Sequence, residues 1–260
     1  MTHTTAGSSS RPAVLFLHGF MGSAADWMGV TAALGEHFHC VSVDLPGHGS
    51  STGLSSASYT MEGAALSVIK VLDTLRIEQA TLVGYSMGGR VALYLALRHP
   101  ERCAGLFVES ASPGLENPRD RKARREADEL RAKRLEMEDF GQFLEDWYRQ
   151  PLFASLARDE ELLNETIAAR RSNDPAELTK SLRGMGAGSQ PSLWEELPQL
   201  KVPALAVAGA LDEKYVGIGQ RMKAESPAID FASVPGVGHN VRAEVPGAYT
   251  GLLRGFLESL

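Results

Sequence analysis

The chain contains the segment Leu82-Val83-Gly84-Tyr85-Ser86-Met87-Gly88-Gly89-Arg90, in which a Gly-x-Ser-x-Gly motif follows an apolar run and precedes another, residues 91–97. This order of strand, sharp turn and helix is the context of a nucleophile elbow. Gly84 and Gly88 suit such a turn because side chains would clash in its strained backbone. Ser86 would stand at a helix N-terminus, beside N–H groups that can stabilise an anion. The alternative is a glycine-rich turn with a solvated serine.

Apolar strands and helices alternate on both sides of this motif. The predicted strands are residues 14–17, 39–43, one that begins near residue 80 and leads into the elbow, 104–108, 204–208 and 230–234. The predicted helices are residues 26–36, 59–75, one after the elbow, one between the last two strands and one that ends at residue 260. Strands that alternate with helices predict an α/β fold with a mostly parallel central sheet flanked by helices.

The alternation stops between residues 110 and 200, where the sequence shows no convincing strand. Of the 24 residues from 116 to 139, 16 are charged, which predicts mostly solvated helix. An insertion at the carboxyl edge of a sheet is well placed to cover a site. We therefore predict a helical lid at 110–200, a core at 13–109 and 201–260, and a disordered tail at 1–12.

Composition limits the class of protein. With 260 residues, 43% of them hydrophobic, the chain can bury a large core, and its net charge of -6 argues against nonspecific nucleic-acid binding. No run of about 18 apolar residues predicts membrane insertion, and the polar first 12 residues lack the apolar centre of a signal peptide. We expect a soluble cytoplasmic protein. Cys40 and Cys103 adjoin apolar segments without metal-ligand spacing, so we expect buried, structural thiols.

A serine hydroxyl has a pKa far above 7, so it needs a neighbouring base to take its proton. That base needs an acid to orient it. Asp212 follows the strand at 204–208 and His239 follows the strand at 230–234, which gives the chain order Ser, Asp, His of nucleophile-elbow proteins. Glu109 also ends a strand and is an alternative acid. His18 and His48 lie in glycine-rich turns, where we expect them to hold the turns by hydrogen bonds.

Residues 14–260 resemble an α/β-hydrolase-fold protein. The resemblance rests on the elbow and on His18-Gly19-Phe20, Asp44-Leu45-Pro46-Gly47-His48-Gly49, Gly209-x-x-Asp212 and Gly238-His239. These motifs indicate the fold better than the reaction. The segments at 84–90, 113–117, 146–156, 171–173 and 238–240 are similar, more specifically, to the 2-succinyl-6-hydroxy-2,4-cyclohexadiene-1-carboxylate synthases of menaquinone biosynthesis.

That resemblance implies a lyase, which eliminates pyruvate from a cyclohexene carrying a succinyl group, a carboxylate and an enolpyruvyl ether. Ser86, activated by His239 and Asp212, would remove a ring proton without forming an acyl-enzyme. The backbone N–H groups of Phe20 and Met87 would form the oxyanion hole. No metal or organic cofactor is implied, and the partner is a small-molecule polycarboxylate substrate.

Arginines pair with carboxylates through two parallel hydrogen bonds, so a polycarboxylate site should contain them. Arg90 lies one helical turn after Ser86 and can point to the same side. The other substrate-binding residues that the resemblance implies are Tyr85, Arg124, Trp147 and Arg171. Arg125 and Arg170 are adjacent alternatives to the two predicted lid arginines.

Two other functions remain open at this point. One is a hydrolase of esters or of carbon–carbon bonds in acidic metabolites, because it would use the same three residues. The other is a noncatalytic small-molecule receptor on the same fold, which a complete Ser86, Asp212 and His239 set disfavours.

Overall fold

A seven-stranded sheet forms the centre of the protein. The computed structural model describes residues 1–260. The strands are β1 (His3–Ala6), β2 (Ala13–Leu17), β3 (His39–Val43), β4 (Ala80–Tyr85), β5 (Cys103–Glu109), β6 (Ala204–Gly209) and β7 (Ile229–Val234). Their order in the sheet is β1-β3-β2-β4-β5-β6-β7, and all neighbours pair parallel except β1 with β3. The predicted α/β fold with a mostly parallel sheet is confirmed.

Helices cover both faces of this sheet. The helices of the chain are α1 (Met28–Leu34), α2 (Met61–Thr74), α3 (Met87–Arg98), α4 (Pro118–Met137), α5 (Phe140–Tyr148), α6 (Glu160–Arg170), α7 (Pro175–Met185), α8 (Glu213–Glu225), α9 (Val241–Glu244) and α10 (Pro246–Glu258), of which α4 to α7 belong to the insertion between β5 and β6. Leu15 and Leu82 belong to one buried cluster, and the next residues, Phe16 and Val83, belong to another. Successive strand residues point to opposite faces, so β2 and β4 lie between two apolar layers. None of the helices combines the length and apolar character needed to cross a membrane.

The N-terminal segment differs from the predicted disordered tail. Residues His3–Ala6 form β1, which pairs antiparallel with β3, from His3 opposite Val43 to Ala6 opposite Cys40. Its side chains are half-buried or exposed, so the strand has no apolar run to reveal it. Backbone pairing with the edge of β3 is what orders this segment.

The insertion between β5 and β6 contains no strand, and its helices α4 to α7 enclose a separate cluster of buried side chains. Helix α4 has one solvated face and fully buries only Asp128, Ala132 and Leu135. The end of the insertion, by contrast, packs on the core, because Leu193 and Trp194 belong to a sheet-side cluster. The insertion is therefore anchored to the core before β6 begins.

Both cysteines are free and buried. Burial raises the pKa of the Cys40 thiol to about 11 and that of the Cys103 thiol to about 12. Thiols with raised pKa values are poor nucleophiles near neutral pH, which agrees with the predicted structural role.

Candidate active site

Ser86 occupies the sharp turn between β4 and α3. Its φ of 50° lies in the left-handed region, where a residue with a side chain is strained. A Cβ atom on Gly88 would lie 2.2 Å from the carbonyl oxygen of Leu17, and one on Gly84 would lie 2.6 Å from the carbonyl oxygen of Gly88. Close packing around the turn therefore requires glycine at both positions.

Ser86, His239 and Asp212 lie in a continuous hydrogen-bonded row. Nε2 of His239 is 3.2 Å from Oγ of Ser86, and Nδ1 of His239 is 2.7 Å from Oδ2 of Asp212. Asp212 lies just before α8, where its Oδ1 accepts a hydrogen bond from the Tyr215 N–H, so its side chain is fixed on two sides. This row can pass a proton between the serine hydroxyl and the imidazole.

The alternative acid, Glu109, does not contact the histidine. Its backbone carbonyl accepts a hydrogen bond from the Ser86 N–H, while its Oε1 accepts one from the Arg242 N–H at 3.2 Å. Burial raises the pKa of this carboxyl to about 7, although Arg242 opposes the shift. The geometry therefore favours Asp212 as the partner of His239.

Phe20 and Met87 are the two residues predicted to form the oxyanion hole with their backbone N–H groups. Met87 is the first residue of α3, where amides have no partner inside the helix, and the Phe20 N–H makes no backbone hydrogen bond. Both residues line the cavity beside Ser86. The turn that carries Phe20 is held by His18, whose Nδ1 donates to the Gly19 carbonyl and whose Nε2 accepts from the Leu45 N–H. The predicted oxyanion-hole residues therefore both lie in the wall of the cavity beside Ser86.

Three aromatic side chains pack close to the His239 imidazole. The ring centroids of Tyr85, Phe153 and Tyr215 lie 5.6, 5.9 and 4.9 Å from it. The imidazole itself is buried. This packing holds the ring in the orientation that the two hydrogen bonds require.

The row opens into a cavity whose wall carries an excess of positive charge. The cationic residues in the wall are Arg90, Arg124, Arg131, Arg170 and Lys214. Asp26 is the one acidic residue there, and it is paired with Arg170. Tyr85 and Trp147, both predicted to line the site, are also in the wall. The cavity therefore suits a ligand with several negative charges.

Arg90 is buried and has no carboxylate partner. Its Nη1 donates to the backbone carbonyl of Met185 at 2.7 Å and to Oε1 of Gln190 at 3.1 Å. Burial lowers the pKa of the guanidinium to about 10, and the positive charge of Arg124 acts in the same direction. A positive charge held in the wall without a counter-ion is stabilised by a bound anion.

The structure places Arg124 in the cavity wall but not Arg171. Arg171 follows the last residue of α6, and its side chain is exposed on the outside of the insertion. The preceding residue, Arg170, lines the cavity instead, because one residue along a helix turns the side chain by about 100°. Of the two adjacent arginines that the sequence left open, Arg170 lines the cavity and Arg171, the predicted one, does not.

The insertion is joined to the histidine loop by a carboxylate. Oε1 of Glu244, in α9, accepts a hydrogen bond from the Ser155 hydroxyl at 3.0 Å and from the Gly238 N–H at 3.3 Å. Ser155 belongs to the insertion, and Gly238 precedes His239. The position of the loop that carries His239 therefore depends in part on a contact with the insertion.

Several residues of this site were not predicted from the sequence. They are Asp26, Arg131, Tyr148, Gln150, Phe153, Lys214 and Tyr215. Lys214 and Tyr215 follow Asp212 directly, so their closeness to a predicted catalytic residue was an available signal. Arg131 lies among many charged residues of α4, where sequence alone does not distinguish the one that faces inward.

A family model described as alpha/beta hydrolase fold matches residues 12–241. The chain therefore belongs to the alpha/beta hydrolase fold family. Many reactions share this fold, so closer relatives carry more information about the chemistry.

The chain is similar to 2-succinyl-6-hydroxy-2,4-cyclohexadiene-1-carboxylate synthase of Serratia proteamaculans, with 34% identity over 96% of this chain and 95% of that protein. It is also 34% identical to the protein PHYLLO of Arabidopsis thaliana, of which it spans only 16%. The structure of MenH from S. aureus superposes with a TM-score of 0.95 and 31% identity, over 100% of this chain and 99% of that one. The similarity includes the insertion and confirms the resemblance found in the sequence.

Proposed function

We propose that the chain is a lyase that forms 2-succinyl-6-hydroxy-2,4-cyclohexadiene-1-carboxylate. Its substrate would be 2-succinyl-5-enolpyruvyl-6-hydroxy-3-cyclohexene-1-carboxylate, from which it would eliminate pyruvate. The Serratia proteamaculans relative bears the name of this synthase and aligns over nearly its whole length. The proposal also expects the protein to work in the cytoplasm, on a small-molecule substrate.

The observation that carries this proposal is the pairing of a serine–histidine–aspartate row with a strongly cationic cavity. Five cationic side chains and one acidic side chain line the space into which Ser86 opens. A substrate with several carboxylates would be held by such a wall, because guanidinium groups match carboxylates in both charge and shape. A neutral ester would gain nothing from these groups.

In the proposed reaction, Oγ of Ser86 takes a proton from a ring carbon next to the succinyl carbonyl as His239 takes the hydroxyl proton. The electron pair left on carbon is delocalised onto the carbonyl oxygen, where the N–H groups of Phe20 and Met87 would stabilise it. When the electrons return, they form a double bond to the neighbouring ring carbon, the existing ring double bond shifts by one position, and the ring C–O bond to the enolpyruvyl group breaks. The departing enolate takes up a proton, for which the His239 imidazolium is a source, and becomes pyruvate.

Asp212 would orient the imidazole and stabilise its protonated form, as in other serine triads. The 2.7 Å contact between Asp212 and His239 supports that assignment. Arg90 would pair with a substrate carboxylate, and its present partners, a carbonyl and an amide, leave its positive charge unneutralised.

Ester hydrolysis is the second candidate function, because the 3.2 Å contact between Ser86 and His239 would equally activate a nucleophile. The two reactions differ in what they release. Incubation of purified protein with the cyclohexene substrate should release pyruvate, measured by coupling to NADH oxidation, and Ser86→Ala should abolish the release. If pyruvate does not form while simple esters are hydrolysed at a useful rate, the hydrolase function replaces the lyase.

A further inference from the structure

Asp128 is a buried carboxylate of α4 that contacts two arginines of the cavity wall. Its Oδ1 accepts a hydrogen bond from Nε of Arg124 at 2.8 Å and another from Nη1 of Arg131 at 3.2 Å. Only 5% of the Asp128 side chain is exposed, and its Oδ2 has no hydrogen-bond partner. The two arginines are therefore the polar groups that offset this buried charge.

The spacing of these residues explains how one carboxylate serves both arginines. Arg124 lies four residues before Asp128 and Arg131 three residues after it, so all three share one face of α4. Each arginine uses one nitrogen in this contact, and a guanidinium has five N–H donors. The remaining donors of Arg124 and Arg131 are available to the cavity, which both side chains line.

A second contact fixes Arg131. Its guanidinium carbon lies 6.0 Å from the ring centroid of Trp147, at the limit of a cation–π contact. Trp147 is itself stacked on Phe143, with ring centroids 5.9 Å apart and an angle of 22° between the planes. Arg131 is thus held between a carboxylate and an aromatic wall of the cavity.

We propose that Arg131 is a further substrate-binding residue, and that Asp128 positions it beside Arg124 so that the two guanidinium groups together bind a substrate carboxylate. Adjacent guanidinium groups repel each other, and the shared carboxylate offsets that repulsion. The buried charge also limits the rotamers of two long side chains before the substrate arrives, which lowers the entropy cost of binding. The identity of the carboxylate ligand as the cyclohexene substrate rests on the proposed function.

Binding of benzene-1,3,5-tricarboxylate, measured by titration calorimetry, tests the proposal without turnover. Arg131→Ala should weaken binding about tenfold or more. Asp128→Ala should have a similar effect, and the double variant should bind only slightly more weakly than either single variant, because Asp128 acts through the arginine. Glu129→Gln is the matched control, because Glu129 lies on the same helix as Asp128 but forms an exposed ion pair with Arg183 of α7. This variant should leave the affinity unchanged.

Unchanged affinity in Arg131→Ala would overturn the proposal, as would effects of Arg131→Ala and Asp128→Ala that simply add. If Asp128→Ala does not fold, Asp128→Asn and the single arginine variant still decide the question. In the lyase assay, Arg131→Ala should raise KM about tenfold with kcat nearly unchanged, the pattern of lost ground-state binding. A wild-type protein that binds the tricarboxylate but releases no pyruvate would refute the lyase function alone.

Discussion

Arg170 donates a hydrogen bond to the carboxylate of Asp26, which lies 144 residues earlier in the chain. Each side chain is only 8% exposed, so the pair is an internal link between the end of α6 and the turn before α1. Burial would raise the pKa of Asp26, but Arg170 and Arg242 outweigh it and hold that pKa below its ordinary value. The insertion is thus connected to the core by a buried ion pair in the cavity wall.

The first prediction compares two adjacent arginines. Arg170→Met should lower the free energy of unfolding by on the order of 3 kcal/mol, because it leaves a buried carboxylate with a single weaker partner. Arg171→Met changes an exposed side chain and should stay within about 0.5 kcal/mol of wild type. Urea unfolding followed by circular dichroism measures both. Equal losses in the two variants would contradict the placement of Arg170 inside and Arg171 outside.

The second prediction concerns the proton relay. Ser86→Ala, Asp212→Asn and His239→Ala should each reduce kcat by roughly three orders of magnitude or more, because each removes one link between Oγ and the imidazole. The double variant Ser86→Ala with His239→Ala should be little worse than either single variant, which steady-state pyruvate release can show. The control is Glu109→Gln, whose carboxyl does not contact the histidine. A collapse of activity in Glu109→Gln with near wild-type activity in Asp212→Asn would exchange the roles of the two acids.

The third prediction separates lyase from hydrolase through Arg90. Arg90→Ala leaves a substrate carboxylate without its partner and should reduce kcat/KM for the cyclohexene substrate. The reduction should correspond to a loss of about 2–5 kcal/mol of transition-state binding. Arg90→Lys should recover only part of the loss, because an ammonium group lacks the two-pronged geometry. Any hydrolysis of p-nitrophenyl acetate should persist in both variants. Parallel losses on both substrates would show that Arg90 supports the serine turn rather than the ligand.

The fourth prediction follows from the raised pKa of Glu109. Its carboxyl binds a proton more tightly in the folded protein, with a pKa of about 7, than at its ordinary value of 4.5. The folded state therefore holds more protons between these values, and its stability should fall as pH rises through that window and level off above pH 7. Between pH 5 and pH 8, the ionisation of Glu109 should lower the free energy of unfolding of the wild type by about 2–3 kcal/mol.

Glu109→Gln should remove this pH dependence while keeping an oxygen that can accept from the Arg242 N–H. Urea unfolding of both proteins at pH 5 and pH 8 gives the comparison, and the variant should gain stability relative to wild type at the higher pH. A difference between the two proteins that does not change with pH would mean that Glu109 is ionised throughout. Glu129→Gln, at an exposed position, serves as the control for a simple loss of charge.

The sequence predicted the parallel part of the fold because buried strands carry continuous apolar runs. β3 spans the predicted residues 39–43, and β4 begins at residue 80, as predicted. The histidine and aspartate were found by their order and by their positions just after strands, since the carboxyl ends of parallel strands meet at one edge of the sheet. Those signals come from the chain itself and do not depend on long-range packing.

The features that the sequence analysis missed have one physical cause in common, because each is determined by contacts between residues far apart in the chain. β1 is ordered by backbone pairing with β3, and its half-exposed side chains leave no periodic pattern. Arg170 and Arg171 differ only in rotation about a helix end, and α4 is so rich in charge that its inward-facing Arg131 looks like its solvated neighbours. A helix face can be assigned from sequence only when polar and apolar residues alternate clearly along it.

The contact that Glu244 makes with Ser155 and Gly238 bears on how this scaffold can be altered. Loop and lid exchange between relatives treats the insertion as a module that sets substrate choice. Here the insertion also supplies a hydrogen-bond donor, the Ser155 hydroxyl, to Glu244 of the core, and Glu244 in turn accepts from the Gly238 N–H next to His239. A chimera whose residues 110–200 come from a relative without a hydroxyl at position 155 would have a different cavity. It would also lose a contact that holds the loop of His239 in place. Recombination at this boundary should therefore succeed more often when positions 155 and 244 are transferred as a pair.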